Sequence, residues 1–367
     1  MNKRKLSIII LIVIIGSIYT DKLQVTPIEE FNISSGFGID VKKEIGANIQ
    51  YSIPFSVYEF KKQKRESVRT IIGRNESVVE SRQDRQLKSN KPFLIGVQRI
   101  IIISQGTATY GILNSINSNF ANSQINDRGN ITVCKGEAED ILSYKVKGYA
   151  SSSDYIEGMV KNAVNYNFFP KESTILSIYL ALASEGRTLA LPYVEVKGKD
   201  IVLDGMAVFR EDKMAYVLPM EESEIMNMLR EESGKGILSL QQSPDQYINY
   251  YAKVKRKVAC NKEGNRYEFN INLNFQGDIV SNTLYEDIDK KKEKEIEELL
   301  SKKTEKMCND FLDKMKNVYK MDLLELGMYS AAKYGRETGV DWNKEVSNAI
   351  IKVNVKVKIN KIGRGHH

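Results

Sequence analysis

Residues Tyr267–Phe275 read YEFNINLNF, and the alternation is strict: Tyr267, Phe269, Ile271, Leu273 and Phe275 are apolar, while Glu268, Asn270, Asn272 and Asn274 are polar. Successive side chains of a strand point to opposite faces, so this pattern writes one dry face and one wet face. It recurs upstream, where Tyr250, Ala252, Val254 and Val258 oppose Lys253, Lys255 and Lys257. It recurs again near the end, where Ile351, Val353, Val355, Val357 and Ile359 oppose Lys352, Asn354, Lys356 and Lys358. Such strands predict an antiparallel sheet with one solvated face. The dry face needs a cover, and Lys290–Lys320 supplies one. There Ile296, Leu299, Leu300, Met307, Phe311, Leu312, Met315 and Val318 return at three- and four-residue steps, the stripe of an amphipathic helix. The expected C-terminal domain, 201–367, is therefore α+β, an antiparallel sheet packed on one side by a long helix. Its Lys-rich wet face reads as a solvated face with edge-protecting lysines. The functional alternative is a surface for lipid headgroups or an acidic partner.

The region before it, 21–200, has a different texture. Pro92–Ser104 (PFLIGVQRIIIIS) is apolar and β-branched at Ile100–Ile103, the mark of a central strand covered on both faces. Asn130–Cys134 is a second such strand, and Gly136–Leu142 and Gly111–Phe120 are short helices. Asn48–Val57 reads as a strand whose Pro54 favours an edge or a bulge. Gly36–Phe37–Gly38 is a lone G-x-G without the rest of a dinucleotide fingerprint and is expected as a turn. Asp154, with Glu157 three residues on, predicts a capped helix. Ser173 caps a second one, Thr174–Ser184, which is apolar almost all round and so expected to be buried, and Gly186 ends it. Lys61–Lys91 is a charged run expected as a solvated face or mobile loop, with a polar helix over Glu76–Leu87. A mixed α/β region, open to division into two subdomains, is the reading for 21–200. The polar break Gly198–Asp200 is the expected boundary, followed by a hairpin at Asp204–Leu218 and a helix at Glu221–Arg230.

The first stretch, Met1–Thr20 (MNKRKLSIIILIVIIGSIYT), opens on the positive residues Lys3, Arg4 and Lys5 and runs apolar from Leu6 through Ile15 to Ile18. As a helix that run covers only about 20 Å against a hydrocarbon core of about 30 Å. Those are the dimensions of an export signal or membrane anchor; a buried core helix is the alternative. Everything after Tyr19 is expected outside the cytoplasm. No Cys precedes Cys134.

Composition bounds the function. The 367 residues carry 54 Lys and Arg against 47 Asp and Glu, a net charge of +7. This mild excess suits a protein near anionic headgroups and is too diffuse to imply nucleic acid. The only two histidines are His366 and His367, so a His-based triad, metal site or general base inside the fold is excluded. Cys134, Cys260 and Cys308 form no metal spacing and are expected as buried structural thiols, with one long-range disulfide left open. No paired-carboxylate motif stands out, no cofactor is expected, and the chain reads as a non-enzyme.

Four stretches taken in order resemble the Ger(x)C family, the C subunits of bacterial spore germinant receptors (germination lipoproteins). They are SVRTIIGRNESVVES followed by FLIGVQRIIIISQGTATYG; ITVCKGEAEDIL (Ile131–Leu142); GMAVFREDKMAYVL (Gly205–Leu218); and YKMDLLELGMYSAAKYGRETGVDW (Tyr319–Trp342). The last carries the family's Asp-x-x-x-x-G and Trp as Asp322, Gly327 and Trp342. From the residues themselves, Asp322 reads as a helix cap, Gly327 as a helix end or kink, and Trp342 as a core anchor rather than a ligand platform. The resemblance implies several mixed α/β domains and no catalysis. It also implies a place on the outer face of the spore inner membrane, with polytopic A-type and transporter-like B-type subunits as partners. Two departures stand out. Asn119–Asn126 is uncharged where members often carry a charged segment. Tyr19 stands where the lipidated Cys would stand, and its phenol cannot be acylated as a thiol is. The chain is therefore expected to be held by an uncleaved apolar N-terminus, by its partners, or by both. The alternative function is an exported binding protein for a small nutrient, which needs a deep polar cleft between domains.

Overall fold

The computed structural model describes residues 27–43, 49–60, 67–122, 125–264 and 266–363. The expectations for Met1–Thr20 and for the two histidines lie outside them. Among the described residues, nine strands make one large sheet. They are β1 (Asn32–Lys43), β2 (Ile49–Glu59), β3 (Ser67–Asn75), β4 (Phe93–Leu94), β5 (Ile100–Ser104), β6 (Asn130–Cys134), β7 (Ala190–Lys197), β8 (Asp200–Arg210) and β9 (Lys213–Pro219). Their order is β3-β2-β1-β5-β6-β7-β8-β9, with β4 beside β1. The four middle strands β1, β5, β6 and β7 are parallel, and the outer pairs run antiparallel.

Among the described residues, helices α1 (Val78–Leu87), α2 (Gln105–Tyr110), α3 (Leu113–Phe120), α4 (Ala138–Ser143), α5 (Ser152–Tyr166) and α6 (Ile175–Ala183) pack on this sheet. β5 shows why its sequence is a continuous apolar run. Ile101 and Ile103 pack on one face with Ile112, Ile116, Ile175 and Ile178. Ile100 and Ile102 pack on the other with Ile141, Leu142, Ile156 and Val160. Both faces are dry, so alternation has no purpose there.

The second sheet holds β10 (Ser233–Ser243), β11 (Gln246–Glu263), β12 (Arg266–Asn282) and β13 (Ile350–Ile362), in that order. The chain reaches it through α7 (Met220–Arg230), and α8 (Lys290–Lys314), α9 (Leu326–Tyr334) and α10 (Trp342–Asn348) follow β12. Tyr250, Ala252, Val254, Phe269, Ile271, Leu273, Phe275, Val355, Val357 and Ile359 form the dry face, under Ile296, Leu300, Cys308, Phe311 and Leu312 of α8. Each Val, Leu, Ile or Phe among them contributes about 1.5–3 kcal/mol on burial. The fold is mixed α/β with two sheets, and the long helix packs on one side of the second.

The structure corrects several local expectations. β13 runs parallel to β12, because helices cross over between them and return the chain in the same direction; only β10, β11 and β12 are antiparallel neighbours. β10 was not anticipated. The charged run hides β3, an outer strand whose Ile71 alone is buried among apolar residues. β2 has neighbours on both sides, so Pro54 is not on an edge. It pairs with Ile72, and the irregularity in register towards β1 falls between Ser34 and Gly36, opposite Val57 and Ser56 rather than at Pro54. Gly36 and Gly38 lie inside β1, not in a turn, because a Cβ there would meet Ile100 O at 2.8 Å and Ala138 Cβ at 2.6 Å. Gly111, at φ 135°, splits Gly111–Phe120 from α2. Ser151, not Asp154, caps α5, since Ser151 Oγ accepts from Asp154 N. Thr174, not Ser173, caps α6 in a capping box with Ser177. One side of α6 is exposed at Leu176, Tyr179 and Leu180. α8 stops at Lys314 and continues as a π turn to Tyr319, and Leu299 and Val318 are exposed. The expected boundary at 200/201 falls in the β7–β8 hairpin, so by strand pairing the chain leaves the large sheet only after Pro219.

Candidate functional site

The two sheets meet where the segment after α6 touches the segment around α9. α6 ends at Ala183 with Ser184 as its cap, not at Gly186, which lies in the turn beyond it at φ 72°, a left-handed conformation natural to glycine. A Cβ on Gly186 would lie 2.3 Å from Gly327 C and Met328 N, and one on Gly327 would lie 2.7 Å from Trp342 Cβ. Two glycines thus let two backbones and an indole stack at contact distance. Met328 N donates to Gly186 O at 3.1 Å. Trp342 Nε1 donates to Glu185 Oε1 at 2.8 Å, and Glu337 N to Glu185 Oε2 at 2.7 Å. The Glu337 N–H and then the indole hold the Glu185 carboxyl below the usual range.

Asp322 is buried beneath this contact. Its carboxylate accepts from Leu326 N at 3.0 Å and Gly327 N at 2.7 Å, the free N–H groups of α9. Its carbonyl accepts from Thr188 Oγ1 at 2.6 Å, and its own N–H donates to Asn343 Oδ1 at 2.9 Å. Burial pushes the carboxyl up to about 6, against the pull of the Gly327 and Leu326 N–H groups. All three family-motif residues, Asp322, Gly327 and Trp342, therefore meet at one junction. Asp322 accepts from the first two N–H groups of α9, and Trp342 packs edge-on against Tyr267, 5.5 Å between ring centres.

Beside the junction lies a cleft of about 400 Å³. One wall is the loop Pro170–Ser173, α6 and the start of β7; the other is the end of α7, Arg256 of β11, and α9. Glu325 lines it with φ 56°, a strained conformation for a residue with a Cβ. Arg230 Nη2 binds its carboxylate at 2.8 Å and Arg187 Nε approaches at 3.5 Å. Arg256 donates to Arg230 O at 2.7 Å, Leu324 O at 3.1 Å and Tyr329 Oη at 3.2 Å, and burial lowers its pKa. Five buried polar atoms on these walls have no partner among the described residues: Asn227 Nδ2 and Oδ1, Arg230 Nη1, Arg256 Nε and Ser173 Oγ. An unpaired buried group costs about 1–3 kcal/mol.

The sequence had singled out neither Glu185 nor the arginine cleft. Arg187, Arg230, Arg256 and Glu325 are far apart in the chain and share no spacing, so only the fold assembles them. Gly186, expected from the sequence as a helix stop, was the one signal available. The anchor residues Lys3, Arg4, Lys5, Leu6, Ile15 and Ile18, and Tyr19, lie outside the described residues. Among those that are described, no helix is long and apolar enough to cross a membrane, and no cluster of three or more His, Cys, Asp or Glu is placed to hold a metal.

Comparison with known proteins joins these observations. Residues 24–196 match the family described as the spore germination protein N-terminal domain, and residues 204–363 match the spore germination B3/GerAC-like C-terminal family. The spore germination protein GerQC of Bacillus cereus is 20% identical over 283 residues, 75% of this chain and 77% of that protein. The crystal structure of the GerBC protein superposes with a TM-score of 0.54 at 14% identity, covering 90% of this chain and 99% of the other. The chain belongs to the GerAC-like family of spore germination proteins, the Ger(x)C family.

Proposed function

We propose that this chain is a non-enzymatic subunit of a spore germinant receptor, sited at the outer face of the spore inner membrane and needed for nutrient-triggered germination. The observation that carries the reading is the paired family match over 24–196 and 204–363. The same matches support a division of the sequence near 200/201, while strand pairing keeps β8 and β9, to Pro219, in the large sheet. Its partners are the A-type and B-type membrane subunits of the same receptor, together with the membrane surface.

The use of the buried reactive groups agrees with a structural part. Asp322 caps α9, and Asp40 caps α4 by accepting from Ala138 N at 2.7 Å and Glu139 N at 3.1 Å. Burial pushes the Cys134 and Cys308 thiols up, away from the thiolate a nucleophile needs. Asp322, Gly327 and Trp342 hold the two sheets together rather than touch a ligand. Tyr19 offers no thiol for a lipid, and the chain is held by Lys3–Lys5 with Leu6–Ile18, by its partner subunits, or by both. Deleting the gene tests the reading: spores are expected to lose their response to at least one nutrient germinant, and a full response to every germinant contradicts it. The exported solute-binding alternative has the interdomain cleft in its favour, and a deletion strain that germinates normally while failing to take up a nutrient supports it.

A further inference from the structure

We infer that the cleft between the two sheets is a binding site for a small solute carrying a carboxylate, held by Asn227, Arg230 and Arg256. This goes beyond the receptor reading, because binding is a property of this chain alone and is measured without its partners.

Three observations converge. The first is position. The cleft is walled by both halves of the chain and, at about 400 Å³, falls within the size range of small-molecule sites. The second is the set of unpaired groups. Asn227 is 1% exposed and Arg256 8%, yet both amide atoms of Asn227, the Arg256 Nε and the Arg230 Nη1 lack partners. The rest of each guanidinium is tied down: Arg230 holds Glu325 at 2.8 Å and lies 3.7 Å from Glu231, and Arg256 binds the Arg230 and Leu324 carbonyls. Fixed guanidinium groups with a spare N–H each are what a carboxylate matches, since its two oxygens accept in parallel. The third is strain. Glu325 keeps its left-handed backbone in the same wall, and such strain collects at ligand sites. At the mouth, Glu172 and Glu232 make no ion pair among the described residues, so an ammonium on the same solute finds carboxylates there.

The full chain, solubilised in detergent, is titrated by calorimetry and thermal shift with propionate, L-alanine, isopropylamine and glucose. Propionate and L-alanine are expected to bind and to raise the unfolding midpoint by several degrees at about a hundredfold their Kd. Isopropylamine and glucose are expected to do neither. L-Alanine binding more tightly than propionate assigns Glu172 and Glu232 to its ammonium, and equal affinities assign binding to the carboxylate alone; both support the site. Asn227→Leu removes two unpaired polar atoms at similar volume, so it is expected to fold with an equal or higher midpoint and to bind at least about tenfold more weakly. Asn227→Asp places a like charge on the wall and is expected to abolish binding. If Asn227→Leu does not fold, Asn227→Asp decides alone. The absence of a carboxylate response in the wild type, or one retained in Asn227→Asp, overturns the inference. So does a destabilised Asn227→Leu with no ligand response in the wild type, which marks a wall satisfied by water only.

Discussion

Gly186→Ala is the sharpest probe of the junction. Two effects add. A residue with a Cβ at φ 72° sits in the left-handed region at a cost of about 1–2 kcal/mol. Its Cβ would also lie 2.3 Å from Gly327 C and Met328 N, where the optimum separation is about 3.5–4.0 Å. The obstacle is backbone, which cannot rotate away, so the two segments must part by about 1 Å, and overpacking of this kind costs about 1–3 kcal/mol. The expected loss is therefore about 2–5 kcal/mol. Gly198→Ala is the control. Gly198 has φ 64° and nothing within 4 Å of its Cβ position, so it carries the conformational cost without the collision. The assay is urea unfolding followed by far-UV circular dichroism and by the emission of Trp342, the single Trp. Trp342 is buried against Gly327 and bonded to Glu185. In Gly186→Ala its emission is expected to shift to the red before denaturant is added, with the secondary structure retained. If the two alanine variants lose the same stability and Trp342 emission is unchanged in both, the close contact between Gly186 and the start of α9 is not there.

Other expectations follow from particular groups. Ile102→Ala, at a fully buried position in β5, is expected to cost about 2–5 kcal/mol in urea unfolding; less than 1 kcal/mol places the strand on a surface. Asp322 has a folded pKa raised by burial from 3.8 to about 6, so the folded state holds its proton more tightly than the unfolded one. Its contribution is greatest below about pH 4 and is lost as pH rises through about 6, and the stability of wild type minus Asp322→Asn should fall by about 3 kcal/mol across that window. A difference that stays flat or rises with pH contradicts the burial. Cys134, Cys260 and Cys308 are buried and free, so a thiol reagent is expected to label none of them in native protein and all three in denaturant. Glu185→Ala removes the acceptor of both Trp342 Nε1 and Glu337 N, and is expected to change Trp342 emission while leaving the far-UV spectrum unaltered.

Much of the fold was legible because it rests on local periodicity. The strands of the second sheet alternate because one face is wet, and β5 runs apolar because neither is. Strand direction was not legible. β13 carries the same alternation whether it runs parallel or antiparallel to β12, and only the helical crossover between them decides. Gly36 and Gly38 looked like turn residues, since a sequence does not distinguish a glycine needed for φ from one needed for close approach. β3 was hidden by its charges, because an outer strand keeps few buried side chains. The junction was half visible. Asp322, Gly327 and Trp342 lie within one stretch and could be picked out together, but their partners Glu185 and Gly186 come from the other half of the chain. The cleft was invisible because its arginines converge only in three dimensions.

The central claim is that this chain works as a receptor subunit, and co-purification from spore inner membranes tests it most directly. The chain, tagged at its C-terminus and extracted in mild detergent, is analysed by mass spectrometry for its companions and its own N-terminal peptide. The account predicts an A-type and a B-type membrane subunit eluting with it, and an N-terminal peptide that carries Met1–Thr20 and no lipid. A chain that elutes alone, or a diacylglyceryl-modified N-terminus, contradicts it.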